Sequence, residues 1–211
     1  MSPALPSALI VDFAGVMTTS LGASWAVWNA RLGLPPRHWR IALHDDPAAH
    51  SMYRALECGE IGQTEWNAWA GRVLGVDGTN LMGRGHAEVR AAEPMMAVVR
   101  AARQAGVAVA LLSNSYGTDP YDPYRELGVW DLCDVHVISE REGIAKPDPA
   151  IYQRTLDRLG LPGSACVFVD DRAENLTPAR ALGITTVHAT SPQTAADEVA
   201  SLFGLTCDAT S

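Results

Sequence analysis

Short apolar runs alternate with longer amphipathic stretches along this chain, the pattern of strand–helix units laid on a parallel sheet. Four of the runs are predicted as buried strands. Ala8–Asp12 is apolar and ends in a carboxylate, and Val107–Ser113 follows a helix-like Met95–Gln104 that Gly106 stops. Cys166–Asp170 and Ile184–His188 flank a helical Ala173–Leu182, itself ended by Gly183, so that the three make one complete βαβ unit. A weaker fifth strand is expected at Val135–Ser139, ahead of a helix-like Pro149–Leu159.

Between the first strand and Met95 the pattern changes character. Five of the six tryptophans fall here, at positions 25, 28, 39, 66 and 69, and no strand-like alternation is present. Helices are expected at Ala23–Leu32, Trp39–Leu43, Ala48–Leu56 and Glu65–Leu74, separated by segments rich in glycine, proline and aspartate. Residues 18–92 therefore read as a helical insertion. The tryptophan pairs Trp25/Trp28 and Trp66/Trp69, three residues apart, read as bundle core before they read as a wall facing a substrate.

Composition narrows the class. A chain of 211 residues, 47% of them hydrophobic, can fill one large core plus a modest insertion without disulfides or metals to hold it. The net charge of −8 and a pI near 5.1, with no basic cluster, argue against nucleic acid as a partner. The longest early apolar run, Ala8-Leu9-Ile10-Val11, follows no basic segment and is far short of the roughly 20 residues that cross a bilayer. A soluble, cytoplasmic protein with no membrane partner is expected. Cys58, Cys133, Cys166 and Cys207 form no CxxC pair and are expected as reduced thiols, and the six histidines show no ligand spacing. Nothing in the pattern sets an oligomeric state.

The candidate chemistry lies just beyond the strand ends, where an open parallel sheet binds its ligands. The first strand delivers Asp12, the second Ser113 and Asn114, and a later one Asp170 and Asp171, while Lys146 opens the segment before a helix. Carboxylates, a hydroxyl, an amide and a lysine converging at one end of a sheet suit a hard divalent cation and an anionic substrate. Taken singly, each has an ordinary alternative as a turn former or a helix cap.

Four segments together carry a resemblance. Asp12-Phe13-Ala14-Gly15-Val16-Met17-Thr18, Leu112-Ser113-Asn114, Lys146-Pro147-Asp148-Pro149-Ala150-Ile151-Tyr152 and Val167-Phe168-Val169-Asp170-Asp171-Arg172-Ala173-Glu174-Asn175-Leu176 resemble the four ordered motifs of the haloacid dehalogenase superfamily. Within it they look like the branch of the soluble epoxide hydrolase phosphatase domain and sugar phosphatases, and Leu56-Glu57-Cys58-Gly59-Glu60-Ile61 resembles an element of that branch's cap. The resemblance implies an α/β fold, with a three-layer Rossmann-like parallel sheet core from residues 1–17 and 93–211 and an inserted helical cap over 18–92. It implies a phosphatase acting on a small phosphorylated metabolite, such as a sugar 1-phosphate, through an aspartyl-phosphate on Asp12. Mg²⁺ would be held by Asp12, the Ala14 carbonyl and Asp171, with Asp170 in support. Ser113 and Asn114 would donate to the phosphoryl group, Lys146 would neutralise charge, and Asn175 would brace Lys146 or the metal shell.

One position departs from the pattern. Most phosphatases of this superfamily carry a second aspartate two residues after the nucleophile as the proton carrier, and here that residue is Ala14. Losing a general acid/base commonly removes about 10²–10⁴ in rate. Two alternatives to a phosphatase therefore stand: a catalytically impaired binder of phosphorylated ligands, and a metal-independent haloacid dehalogenase. The retained Asp170-Asp171 pair argues against the second.

Overall fold

The computed structural model describes residues 5–41 and 45–205. Five strands, β1 (Ala8–Val11), β2 (Ala108–Ser113), β3 (Val135–Ile138), β4 (Cys166–Asp170) and β5 (Thr185–His188), form one all-parallel sheet in the order β3-β2-β1-β4-β5. The helices of the described residues are α1 (Leu21–Arg31), α2 (Pro47–Glu57), α3 (Gln63–Leu74), α4 (Leu81–Gly85), α5 (Glu93–Gln104), α6 (Pro123–Glu126), α7 (Ser139–Glu142), α8 (Pro149–Leu159), α9 (Ala173–Ala181) and α10 (Pro192–Phe203). All five expected strands are present, each within a residue or so of its expected bounds. Residues 39–41 are helical, and the last two residues of the expected Trp39–Leu43 helix, 42 and 43, lie outside the described residues.

Side chains alternate across each strand, so each strand splits its apolar residues between two layers. Leu9, Val11, Val109, Leu111, Val167 and Val169 pack against Met95, Val98 and Val99 of α5 and Ala196, Val199 and Phe203 of α10. Ala8, Ile10, Ala110, Leu112 and Phe168 pack instead against Ile151 and Tyr152 of α8 and Leu176 of α9. A sheet buried on both faces explains why its strands read as continuous apolar runs. The fold is therefore the expected three-layer Rossmann-like core.

The chain leaves the core and returns to it as a pair. Thr18 and Ala91 form an isolated antiparallel bridge, flanked by the bonds Thr19 N–H to Arg90 O (2.8 Å) and Ala92 N–H to Met17 O (2.9 Å). Beyond this crossing α1–α4 gather around their own core of Trp25, Trp28, Leu56, Trp66, Leu74 and Met82. Trp25 and Trp28 meet edge to face at 5.4 Å. Trp66 is fully buried and Trp69 partly so, and both pairs pack in the bundle core as their spacing predicts, with Trp25 also reaching the cavity.

The cap core also takes Tyr116 and Tyr121 from the loop after β2. Gln63 of α3 ties the same loop down, donating to the carbonyls of Gly117 (2.9 Å) and Tyr121 (2.8 Å) and accepting from Tyr121 N–H (3.2 Å). Gly59 makes a second junction. Its φ is +71° and a Cβ there would stand 2.1 Å from the Glu140 carbonyl oxygen, so the end of α2 abuts the backbone of α7 at a distance only glycine permits. Cys58, Cys133 and Cys166 are free thiols, Cys133 and Cys166 being buried; Cys207 lies outside the described residues. No helix among the described residues is long and apolar enough to cross a membrane.

Candidate active site

Strand register assembles the site. Val11 pairs with Val169, and Asp12 N–H continues the ladder to Val169 O at 2.9 Å, which sets Asp12 beside Asp170 at the carboxyl end of the sheet. Lys146 arrives from the segment after β3 and lies between them. Its Nζ is 2.8 Å from Asp12 Oδ1 and 2.6 Å from Asp170 Oδ2. All three side chains are almost completely buried, as an ion pair taken out of water requires of its partners.

Asp170 is saturated. Besides Lys146 it accepts from Arg172 N–H (2.8 Å) and from Asn175 Nδ2 at 2.9 and 3.0 Å, one bond to each oxygen. Asn175 thus braces Lys146 through Asp170. Asp171, the next residue, turns the other way and rests against Gly15. Gly15 has φ +77°, and a Cβ there would fall 2.5 Å from Asp171 Oδ2. His188 Nε2 lies 3.0 Å from the Asp171 backbone carbonyl and fixes this turn from β5. One carboxylate oxygen from each of Asp12, Asp170 and Asp171 lies within 4.8 Å of the others.

The Asn114 side chain closes a two-bond ring on the backbone of Lys146: Oδ1 accepts Lys146 N–H at 2.8 Å and Nδ2 donates to Lys146 O at 3.0 Å. The structure thus gives this amide a task that its place at a strand end did not suggest, holding the lysine. Ser113 is buried, and Tyr124 donates its phenolic proton to Ser113 Oγ at 2.9 Å. The hydroxyl proton of Ser113 is left with only a 3.4 Å contact to the Asn114 carbonyl.

Electrostatics follow from three carboxylates facing one ammonium. Burial, joined by the charges of Asp170 and Asp171, pushes Asp12 up to about 7 against the pull of Lys146. Asp171 is raised as well, by burial and then by Asp170. Burial alone would lower Lys146, but Asp12 and Asp170 together override it and hold the ammonium charged.

The site opens into a cavity of about 940 Å³, lined by Asp12, Ala14, Asn114, Lys146 and Asp171 at one end and by cap residues at the other. The far wall carries Leu21, Trp25, Trp39, Met82, His86 and Tyr116. His86 is buried and its pKa is pushed down to about 3, so the ring is neutral. Neither His86 Nδ1 nor the Tyr116 hydroxyl has a hydrogen-bond partner among the described residues. Residue pattern had assigned no part to His86, His188, Tyr124 or Arg172. No spacing marks His86, His188 or Tyr124, because each reaches the site by the packing of a different element, whereas Arg172 directly follows Asp171 in the chain. Glu57, named only as part of the cap segment, also lines the cavity.

A sequence model of the haloacid dehalogenase-like hydrolases matches residues 6–183. Among curated proteins, acyl-CoA dehydrogenase family member 10 of Mus musculus is 39% identical over 102 residues, covering 48% of this chain and 9% of that protein. A sesquiterpene phosphatase of Aspergillus oryzae is 28% identical over 203 residues, covering 93% of this chain and 96% of that protein. Bifunctional epoxide hydrolase 2 of Sus scrofa is 26% identical over 218 residues, covering 94% and 39%. The chain is thus nearly as long as the fungal relative and spans a minor part of the two mammalian ones. In fold it is similar to a haloacid dehalogenase family enzyme of Bacteroides thetaiotaomicron solved with magnesium and inorganic phosphate, at 20% identity, a TM-score of 0.66 and coverage of 87% and 93%.

Proposed function

The chain belongs to the haloacid dehalogenase-like hydrolases, and from that premise we propose that it is a magnesium-dependent phosphatase of organic phosphate monoesters whose organic part is largely apolar. The observation that carries the reading is Lys146 clamped between Asp12 and Asp170 where Lys146 and Asp12 line the cavity. A buried ammonium beside a carboxylate nucleophile compensates the charge that both bring together when a phosphate dianion enters.

The donors fit a hard divalent cation. Asp12 and Asp171 would hold it with the Ala14 carbonyl, while Asp170 is committed to Lys146, Arg172 and Asn175. Three carboxylates against one ammonium leave negative charge for such an ion to balance. Bound there, magnesium would draw charge from the phosphoryl oxygens. The chain's own groups do the rest. Asp12 aims a carboxylate at phosphorus, Phe13 N–H steadies its Oδ1 at 2.7 Å, and Asn114 fixes Lys146. Tyr124 donates to Ser113 Oγ, which leaves the proton of that hydroxyl available to a phosphoryl oxygen.

The apolar substrate class follows from the far wall. Trp25, Trp39, Leu21 and Met82 offer a sugar few hydrogen bonds and, with His86 Nδ1 and Tyr116 Oη as two polar handles, form the apolar part of a lining that elsewhere carries Thr18, Thr19, Ser20, Glu57 and Arg172. The fungal relative is by name a phosphatase of a sesquiterpene. The test is phosphate release with Mg²⁺ from a branched long-chain alkyl phosphate and from sugar phosphates. The alkyl ester is expected to show at least a tenfold higher kcat/KM; a preference for sugars would overturn the substrate class, and release that resists EDTA would overturn the metal.

Metal binding should depend on pH. Ligands must be deprotonated, and Asp12 sits near 7. Mg²⁺ is expected to raise the melting temperature more at pH 8 than at pH 5.5, read by thermal denaturation at saturating Mg²⁺. An equal rise at both would mean that the ion binds elsewhere.

A further inference from the structure

A phosphatase with alanine at position 14 needs another group to protonate the leaving oxygen. Besides Asp12 and Asp171, Glu57 is the only acid among the described residues lining the cavity. It is the last residue of α2, delivered to the core by the close approach of Gly59 to the Glu140 carbonyl two residues later. The Glu57 side chain lies near that of Asn114, whose amide holds Lys146, whose ammonium in turn holds Asp12 at 2.8 Å. The cap acid therefore faces the side chain that positions the lysine of the core nucleophile.

Resting on the phosphatase reading above, we propose that Glu57 carries the protons that Ala14 cannot. In the first half-reaction an Asp12 oxygen bonds to phosphorus while the bond from phosphorus to the ester oxygen breaks, and the Glu57 carboxyl gives its proton to that oxygen, releasing the alcohol. In the second, water attacks the aspartyl-phosphate, the Glu57 carboxylate takes the water proton, and the bond from phosphorus to Asp12 breaks. Inorganic phosphate leaves, with Asp12 a carboxylate and Glu57 protonated again.

Burial raises the Glu57 pKa, opposed by Arg54 on its own helix and by Arg172, Lys146 and Asn114 from the core, with Tyr53 beside it. Arg54 is the strongest of these restraints, although it stands 4.0 Å away and is half exposed. Other cavity groups suit the task less: His86 is neutral and held so, and His188 is exposed and spends Nε2 on the Asp171 carbonyl.

The test uses the whole protein with Mg²⁺ and two esters, 4-nitrophenyl phosphate, whose leaving group departs without a proton, and a long-chain alkyl phosphate, whose leaving group does not. Glu57→Gln keeps the shape and removes the transferable proton. It is expected to lower alkyl phosphate turnover by about 10²-fold or more, to leave a burst of nitrophenol followed by slow phosphate release, and to remove the alkaline limb of the kcat/KM profile. Adding Ala14→Asp to Glu57→Gln is expected to recover alkyl turnover. Equal losses on both esters, with no burst and no rescue, would reduce Glu57 to a cap anchor and overturn the proposal. Absence of any Asp12-dependent release from either ester by the parent protein would instead fell the phosphatase reading, and this proposal with it.

Discussion

Asp12→Asn is expected to abolish phosphate release, by on the order of 10⁴-fold or more, while the folded structure persists. The amide has the shape of the carboxylate, and its oxygen still accepts Phe13 N–H where Oδ1 does now, at 2.7 Å. Lys146 keeps Asp170 at 2.6 Å. What disappears is the anionic oxygen that the proposed reaction aims at phosphorus. Stability should move the other way with pH. Asp12 titrates near 7 when folded and near 3.8 in its ordinary state, so its raised pKa favours the fold at low pH and that contribution fades as pH rises through about 7. The amide has no such dependence. Without metal, the variant should therefore lose less stability than the parent between pH 5 and pH 8, and it should gain less from Mg²⁺. Phosphate-release assays and urea denaturation at both pH values check the two halves together; retained turnover would remove Asp12 from the chemistry.

Strand positions were legible because a doubly covered parallel sheet writes itself as short apolar runs, and the glycines at 106 and 183 mark where helices stop. The convergence of Asp12, Lys146, Asp170 and Asp171 was legible for a related reason, since parallel strands end at one edge. Their division of labour was not. Asp170 and Asp171 are neighbours in the chain, but alternation sends one to Lys146 and Asn175 and the other onto Gly15. Asn114 was expected to face the substrate, and the structure spends its amide on the Lys146 backbone. A side chain's direction depends on partners far away in sequence, 32 residues away in this case. The same holds for Tyr116 and Tyr121, which belong to the core by position and to the cap by packing, and for Glu57, whose motif carried no hint of the cavity it enters.

The second large effect is expected at Lys146. Methionine keeps the length of the stem and its apolar packing over Phe168, whose ring centroid lies 5.5 Å from Nζ, but it removes the only cation within bonding distance of both Asp12 and Asp170 among the described residues. Turnover should fall to the level of Asp12→Asn, because the phosphate dianion would then meet uncompensated carboxylates. Stability should fall too, by about 3–5 kcal/mol at pH 8, the usual result of removing one partner from a buried ion pair. The loss should shrink in acid. The ammonium is what holds Asp12 down, so its removal drives the Asp12 pKa above about 7; the folded state then binds a proton that the unfolded state, near 3.8, releases. Stability is retained while Asp12 is protonated and drains away as pH rises. Mg²⁺ should restore part of that stability at pH 8, since a dication also screens the carboxylates, yet it should not restore turnover, because it does not occupy the lysine's place between Asp12 and Asp170. Urea denaturation of Lys146→Met from pH 5 to pH 8, with and without Mg²⁺, separates these effects: a loss independent of pH would mean that Lys146 contributes by packing, and the charge argument for the site would fail.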